Sequence, residues 1–202
     1  MALPMPLAAT LILAVTVVLS LVGFARPGLI ERALFRPYWF LPKRQYWTVI
    51  SNGFVHANLA HLIFNALSYW FFAFPLQRVI GPARFVTLYL LGLIASNVGT
   101  YFQHRRDPAY ASLGASGAIL AVLFAAIVYF PRSSIMLLPL PLPLPAPLFA
   151  LLFLAFSYYS ARHPRGRINY QAHFDGALAG LTFVALTDWP AWVRAWHVVL
   201  HR

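Results

Sequence analysis

Ser116 stands in the run Gly114-Ala115-Ser116-Gly117 and His173 in the run His173-Phe174-Asp175-Gly176, at the ends of two different apolar stretches of the chain. A serine hydroxyl is a poor nucleophile until a base takes its proton, and a neutral imidazole in a low-dielectric site is a suitable base. Polar groups in lipid are costly and tend to be functional, so a serine and a histidine beside glycines, on separate spanning segments, read as a serine–histidine catalytic pair. His61 and Asn65 make a third polar site. Four apart, they share one helix face one turn apart, and both can donate hydrogen bonds. Two donors on one face suit a developing oxyanion better than a metal ion.

Each motif also has a plainer reading. Gly-x-Ser-Gly is a small-residue packing patch in many membrane helices, and His61 with Asn65 could be interhelical glue worth about 1 kcal/mol. His173 could be a histidine satisfied by a backbone carbonyl. All three sites in one small membrane chain are much harder to dismiss than any one of them.

These side chains need helices to hold them. Ser116 falls at the start of an apolar run, where the free N–H groups of a helix amino terminus can stabilise an oxyanion. His173, Gly176 and Gly180 form one helical stripe, so the imidazole stands above a smooth glycine groove that can dock against the helix of Ser116. The apolar runs predict six spans: Leu7 to Phe24, about Asn58 to Leu76, Phe85 to Phe102, Ala115 to Phe130, Pro147 to Ala161, and Ala172 to Thr187. Between the first two, Arg26, Arg32, Arg36, Lys43 and Arg44 mix with Tyr38, Trp39, Phe40, Tyr46 and Trp47, as expected of a loop lying along the head groups. Pro139, Pro141, Pro143, Pro145 and Pro147 alternate with leucine or alanine, which predicts an extended interfacial connector and a short fifth helix after it. Trp189, Trp192 and Trp196 near Arg194 and Arg202 read as an interfacial anchor.

Composition agrees with a bundle in lipid. The 202 residues are 61% hydrophobic and 9% charged, with a mean hydropathy of +0.71, too apolar for the charged shell of a soluble domain. Six spans and short connections use up this length, leaving one compact membrane domain. The net charge of +11 is spread between apolar runs, so membrane lipids are the expected partners and no nucleic acid is. Arg78, Arg84, Arg132, Arg194 and Arg202 would share a face with the termini, and the other ten basic residues would lie opposite. The positive-inside rule therefore favours termini outside, although an interfacial first loop can hold basic groups without setting topology. Met1 to Pro6 has no basic residue and no clear cleavage site, so the first span is expected to be retained.

Elimination narrows the chemistry. Without cysteine there is no thiol nucleophile or disulfide, and of the four acidic residues, Glu31, Asp107, Asp175 and Asp188, only Asp175 falls in a span. Paired-carboxylate catalysis within the bilayer is excluded. No His-Glu-x-x-His run occurs, and His56 and His61, five apart, are expected on different helix faces, so neither a metal nor any cofactor is expected.

Across roughly Trp47 to Thr187 the chain resembles the rhomboid intramembrane serine proteases. The resemblance rests on His56-Ala-Asn-Leu-Ala-His61-Leu-Ile-Phe-Asn65, Gly114-Ala-Ser116-Gly117 and Ala172-His173-Phe-Asp-Gly176-Ala-Leu-Ala-Gly180, in the family's order. It implies an all-α six-transmembrane-helix bundle, with residues 1–202 as a single polytopic domain, a core at about 47–187 and a C-terminal interfacial segment at 188–202. It further implies that Ser116 is the nucleophile, His173 the general base, and His61, Asn65 and the Ser116 N–H the oxyanion hole, with Gly114, Gly117, Gly176 and Gly180 shaping the site. The implied substrates are single-pass transmembrane proteins, cut in or near their membrane segment and admitted sideways past the fifth helix. Here that helix begins after the Pro-Leu repeat, which suggests an easily displaced gate.

Three departures stand out. The family's usual aromatic residue four after the serine, packed under the histidine, is Leu120; its Trp-Arg pair is Trp47-Thr48; and Asp175 occupies a position where a small residue is common. Asp175, two after His173, points away from the same stripe, which argues against a triad. A rhomboid-like pseudoprotease that binds transmembrane segments without cutting them is the alternative reading, and a small transporter a third. Brief loops lead to the expectation of a prokaryotic plasma membrane.

Overall fold

The computed structural model describes residues 6–137, 142–163, 166 and 168–201. Helix α1, Leu7–Ala25, is uncharged and ends where Arg26 and Pro27 interrupt it. In the basic loop, proline at the first helical turn starts α2, Pro27–Ala33, and α3, Pro37–Phe40; α4, Thr48–Ser51, runs into a 3-10 turn at Asn52–Phe54. The loop is braced by the Arg36–Glu31 ion pair, by Lys43 4.2 Å over the Trp39 ring, and by Trp39 Nε1 donating to the Pro108 carbonyl at 3.2 Å. A short bridge between Phe35 and Ser112 ties it to the segment before Ser116.

Two long helices follow, α5 at Leu59–Ile80 and α6 at Pro82–His104, separated by Gly81 at φ +81°. Both exceed the expected spans. Pro75 does not end α5, because a proline in a membrane helix can be tolerated where neighbouring groups re-satisfy the freed backbone. Along with α1, these are the three helices among the described residues that are long and apolar enough to cross a membrane, and α7, Ser116–Tyr129, is a shorter apolar one.

Helix α7 is the core. Every residue from Gly117 to Val128 is buried, enclosed by α5, α6, α9 (Tyr170–Thr187) and more lightly by α8 (Ala146–Arg162). Its 14 residues span about 21 Å, less than the ~30 Å of hydrocarbon, so at least one end lies within the bilayer thickness. Surrounding protein makes that tolerable.

The most extensive helix contact is α7 with α9, and glycine makes it possible. A Cβ on Gly176 would strike the Gly117 backbone, 2.8 Å from its carbonyl carbon, and one on Gly180 would meet Ala121 in the same way. The glycine groove thus faces the helix of Ser116, as its spacing predicts. Asp175 turns to α6, where Gly99 leaves room for its carboxylate, and accepts from Gln171 Nε2 at 2.9 Å.

Where it is described, the Pro-Leu repeat is extended as expected, and it is also paired: β1, Ser134–Leu137, runs antiparallel to β2, Leu142–Pro145, in register Ser134 to Pro145. Pro139 and Pro141 lie outside the described residues. Strand β2 runs directly into α8, whose start matches the expected fifth helix. The final helix α10, Trp189–Leu200, is N-capped by Asp188, buries Ala191 and Ala195, and exposes Trp189, Val193, Trp196 and Leu200 on one stripe.

Candidate active site

Ser116 is the first residue of α7, and the turn before it is tightly anchored. Gly114 has φ +117°, a backbone conformation that side-chain-bearing residues rarely adopt, and its N–H donates to the Asn52 carbonyl at 2.9 Å. The Asn52 amide donates to Asn97 Oδ1 at 2.8 Å, and the Asn97 amide returns a bond to Asn52 at 3.2 Å and donates to the Val49 carbonyl at 2.9 Å. His61 lies over Gly114: a Cβ there would sit 2.7 Å from the imidazole Cε1. Backbone strain and the imidazole therefore both require glycine at this position.

His61 occupies the first turn of α5, where its backbone N–H donates to the Asn58 cap at 2.9 Å. Asn65, one turn on, is buried, and its Nδ2 has no hydrogen-bond partner among the described residues. A buried amide donor left free is costly unless an acceptor arrives.

His173 is in the first turn of α9, with Nε2 3.0 Å from Ser116 Oγ. With the proton on Nδ1, the ring accepts from the serine hydroxyl, which is the arrangement that proton removal needs. The start of α9 is fixed by Asn169, which accepts from the Ala172 N–H at 3.0 Å and donates to Thr100 Oγ1 of α6 at 2.8 Å. Two aromatic rings flank the imidazole: Phe153 of α8 at 6.4 Å and 29°, and Tyr170 at 6.0 Å and 82°. Leu120 is buried in an apolar cluster with Phe124 and Phe149, so the face-on ring against His173 comes from α8 and not from α7.

Ser116 and His173 meet directly, His61 lies against Gly114 two residues before Ser116, and Asn65 lies one turn from His61, lining a small gap with Ala115. The expectation that His56 and His61 diverge is wrong. Asn58 caps α5, so His56 lies outside the helix, and the two rings meet edge to face at 4.9 Å. His56 is fully buried, its Nδ1 3.0 Å from Ser20 Oγ, and burial, followed by the adjacent His61, pushes its imidazole down to about 3. An unfolded chain would bind that proton below about pH 6.5 and the folded one would not, so stability is full above that pH and falls towards pH 3 by a few kcal/mol. Melting in detergent between pH 7 and pH 4 should show the decline. His56→Gln should flatten it; an unchanged slope would remove His56 as a cause.

Asn52, Asn97 and His56 were not singled out by the sequence as parts of this site. The available signal was a buried asparagine within an apolar span, which needs a polar partner.

A lateral cavity of about 810 Å³ lies between α5, α7, α8 and β1, with Phe64, Phe71, Leu120, Ile127, Ile135 and Phe153 in its walls. Its walls are mostly apolar.

Fold and site define an integral membrane protein: a helical bundle with an internal serine–histidine pair. The chain belongs to the rhomboid family, since the family model described as the Rhomboid domain matches residues 43–189. It is 40% identical over 78 residues to the rhomboid-family protein YdcA of Bacillus subtilis, covering 39% of this chain and 38% of that one. It is 29% identical over 156 residues to Rhomboid protein 1, mitochondrial, of Saccharomyces cerevisiae, covering 74% of this chain and 45% of that one. It is 27% identical over 164 residues to Presenilin-associated rhomboid-like protein, mitochondrial, of Homo sapiens, covering 75% of this chain and 42% of that one. The matches span about two fifths of the length of these curated relatives.

Proposed function

We propose that this chain is an intramembrane serine endopeptidase that cuts single-pass transmembrane proteins in or near their membrane segment. The observation that carries the reading is Ser116 Oγ 3.0 Å from His173 Nε2, in the first turns of two helices closed backbone to backbone. Ser116 Oγ attacks the scissile carbonyl while His173 Nε2 takes its proton. The oxyanion is met by the Ser116 N–H, the Asn65 amide and the His61 ring. Its collapse breaks the C–N bond as His173 returns the proton to the leaving amine. Water, deprotonated by His173, then attacks the acyl ester and frees Ser116. No cofactor or metal enters this sequence of steps.

A helical substrate hides its carbonyls in its own hydrogen bonds, so local unwinding must precede attack. Small and helix-weakening residues near the cut make that cheaper. The whole chain acts as a single polytopic domain, with membrane lipids as its surroundings. The prokaryotic plasma membrane expected from brief loops is not favoured by the relatives named mitochondrial.

Because Asn65 Nδ2 is buried with no partner among the described residues, Asn65→Ala should lower kcat about 10²-fold and leave KM nearly unchanged. An equal rise in KM instead would mean that Asn65 binds substrate and not the oxyanion.

The reading is tested by reconstituting the protein in liposomes with a single-pass substrate carrying small and helix-weakening residues. Cleavage should appear, and a fluorophosphonate should add its mass to the peptide that contains Ser116. Binding of several such substrates with no cleavage and no adduct would overturn the reading in favour of a non-cutting rhomboid-like binder.

A further inference from the structure

The His173 ring makes one hydrogen bond among the described residues, the one to Ser116. A single bond at Nε2 leaves the imidazole free to tilt about the axis through that nitrogen, so ring contacts must set its plane. Phe153 supplies a face at 6.4 Å and 29°, and Tyr170 an edge at 6.0 Å and 82°, two nearly perpendicular restraints. Tyr170 belongs to the same helix as His173 and moves with it. Phe153 belongs to α8, which leans chiefly on α9 and touches α7 only lightly.

Phe153 has a second surface. It stacks on Phe149 at 5.5 Å and meets Phe124 at 5.7 Å, and it forms part of the wall of the 810 Å³ lateral cavity. A single ring thus both lines the cavity and stacks beside the base. Anything apolar that fills the cavity presses on Phe153, and Phe153 presses on the imidazole.

We infer that Phe153 is a positioning residue that couples occupancy of the lateral cavity by an apolar membrane segment to the orientation of His173. The inference rests on the serine–histidine reading above. Its consequence is that an empty site holds a loosely oriented base, and a seated transmembrane segment sharpens it. Ser116 is then least reactive when no segment is present, which limits attack on stray esters.

The test uses the full chain in vesicles, comparing wild type with Phe153→Ala, Phe153→Leu and Phe153→Tyr. The first readout is the rate at which a small fluorophosphonate modifies Ser116, with and without a single-span leucine–alanine peptide in the same bilayer. Phe153→Ala and Phe153→Leu should slow modification about three- to ten-fold, the worth of an aromatic pair, and Phe153→Tyr should restore it. The peptide should accelerate wild type and Phe153→Tyr but not Phe153→Ala. A Phe153→Ala protein that reacts as fast as wild type, or a peptide effect that survives in it, overturns the coupling and leaves Phe153 as a steric part of the gate.

The second readout needs no catalysis. In 15N-histidine-labelled protein, the His173 ring signal should broaden in Phe153→Ala and sharpen in wild type when the peptide is added. An unmoved signal overturns the inference whatever the activity. If wild type itself takes up no phosphonate, the protease reading fails, and the ring signal still decides whether Phe153 orients His173. Phe153→Leu, which keeps an apolar side chain in the cavity wall, guards against a fold lost to an empty space.

Discussion

Ser116→Ala or His173→Ala is expected to reduce cleavage of a single-pass substrate in liposomes by about 10⁴-fold or more, to background, and the double variant to be no worse than either. Non-additivity is the informative part. The serine is useless without a base and the base has nothing to activate without the serine, so each deletion removes the same unit of chemistry. Stability should hardly change. The two side chains share one hydrogen bond at 3.0 Å, and both are half-buried, so losing it costs about 1 kcal/mol. Melting points within a few degrees of wild type, together with lost cleavage and lost phosphonate labelling, would assign the loss to chemistry. Residual cleavage in Ser116→Ala at a substantial fraction of wild type would dismiss Ser116 as nucleophile.

The bundle was legible because its spans are written in runs of apolar residues, and because glycine stripes record where backbones meet. Gly176 and Gly180 have no side chains to obstruct Gly117 and Ala121, and that spacing alone pointed α9 at the helix of Ser116. The expected 147–161 helix was found to within a residue at each end, since proline marks a helix start clearly. What was not legible depends on partners distant in sequence. Alternating proline and leucine reads as an extended segment, but nothing local announces that Ser134–Leu137 pairs with it. Helix periodicity does not reach His56, because the Asn58 side chain caps α5 and sets its start at Leu59. Asn52 and Asn97 are 45 residues apart, and each alone looks like an isolated polar group in an apolar stretch. Phe153 shows the same limit. Leu120 left the face of His173 without a ring from α7, and only the packing of α8 reveals the ring that lies there.

Gly176→Ala should abolish measurable activity without touching a reacting atom. A Cβ at this position would lie 2.8 Å from the Gly117 carbonyl carbon and 2.9 Å from its Cα, where ordinary contact needs more than 3.4 Å. The obstacle is backbone, so no side chain can swing away, and α9 must shift from α7 by about 1 Å, in line with the destabilising cost of overpacking. Because Gly176 is one turn from His173, that shift carries the imidazole with it and stretches the 3.0 Å contact to Ser116 beyond hydrogen-bonding distance. Misplacement on that scale costs about 10²-fold or more in rate. Gly180→Ala supplies the control, since it makes the same clash, now with Ala121, one turn further from the pair. Both variants should lose about 1–3 kcal/mol of stability, and Gly176→Ala should lose far more activity for the same loss. Thermal unfolding and cleavage measured side by side separate the two effects. If the variants lose activity in proportion to stability, the glycines serve only helix packing; if Gly176→Ala falls well below that line, the close approach at Gly117 is what brings His173 within reach of Ser116.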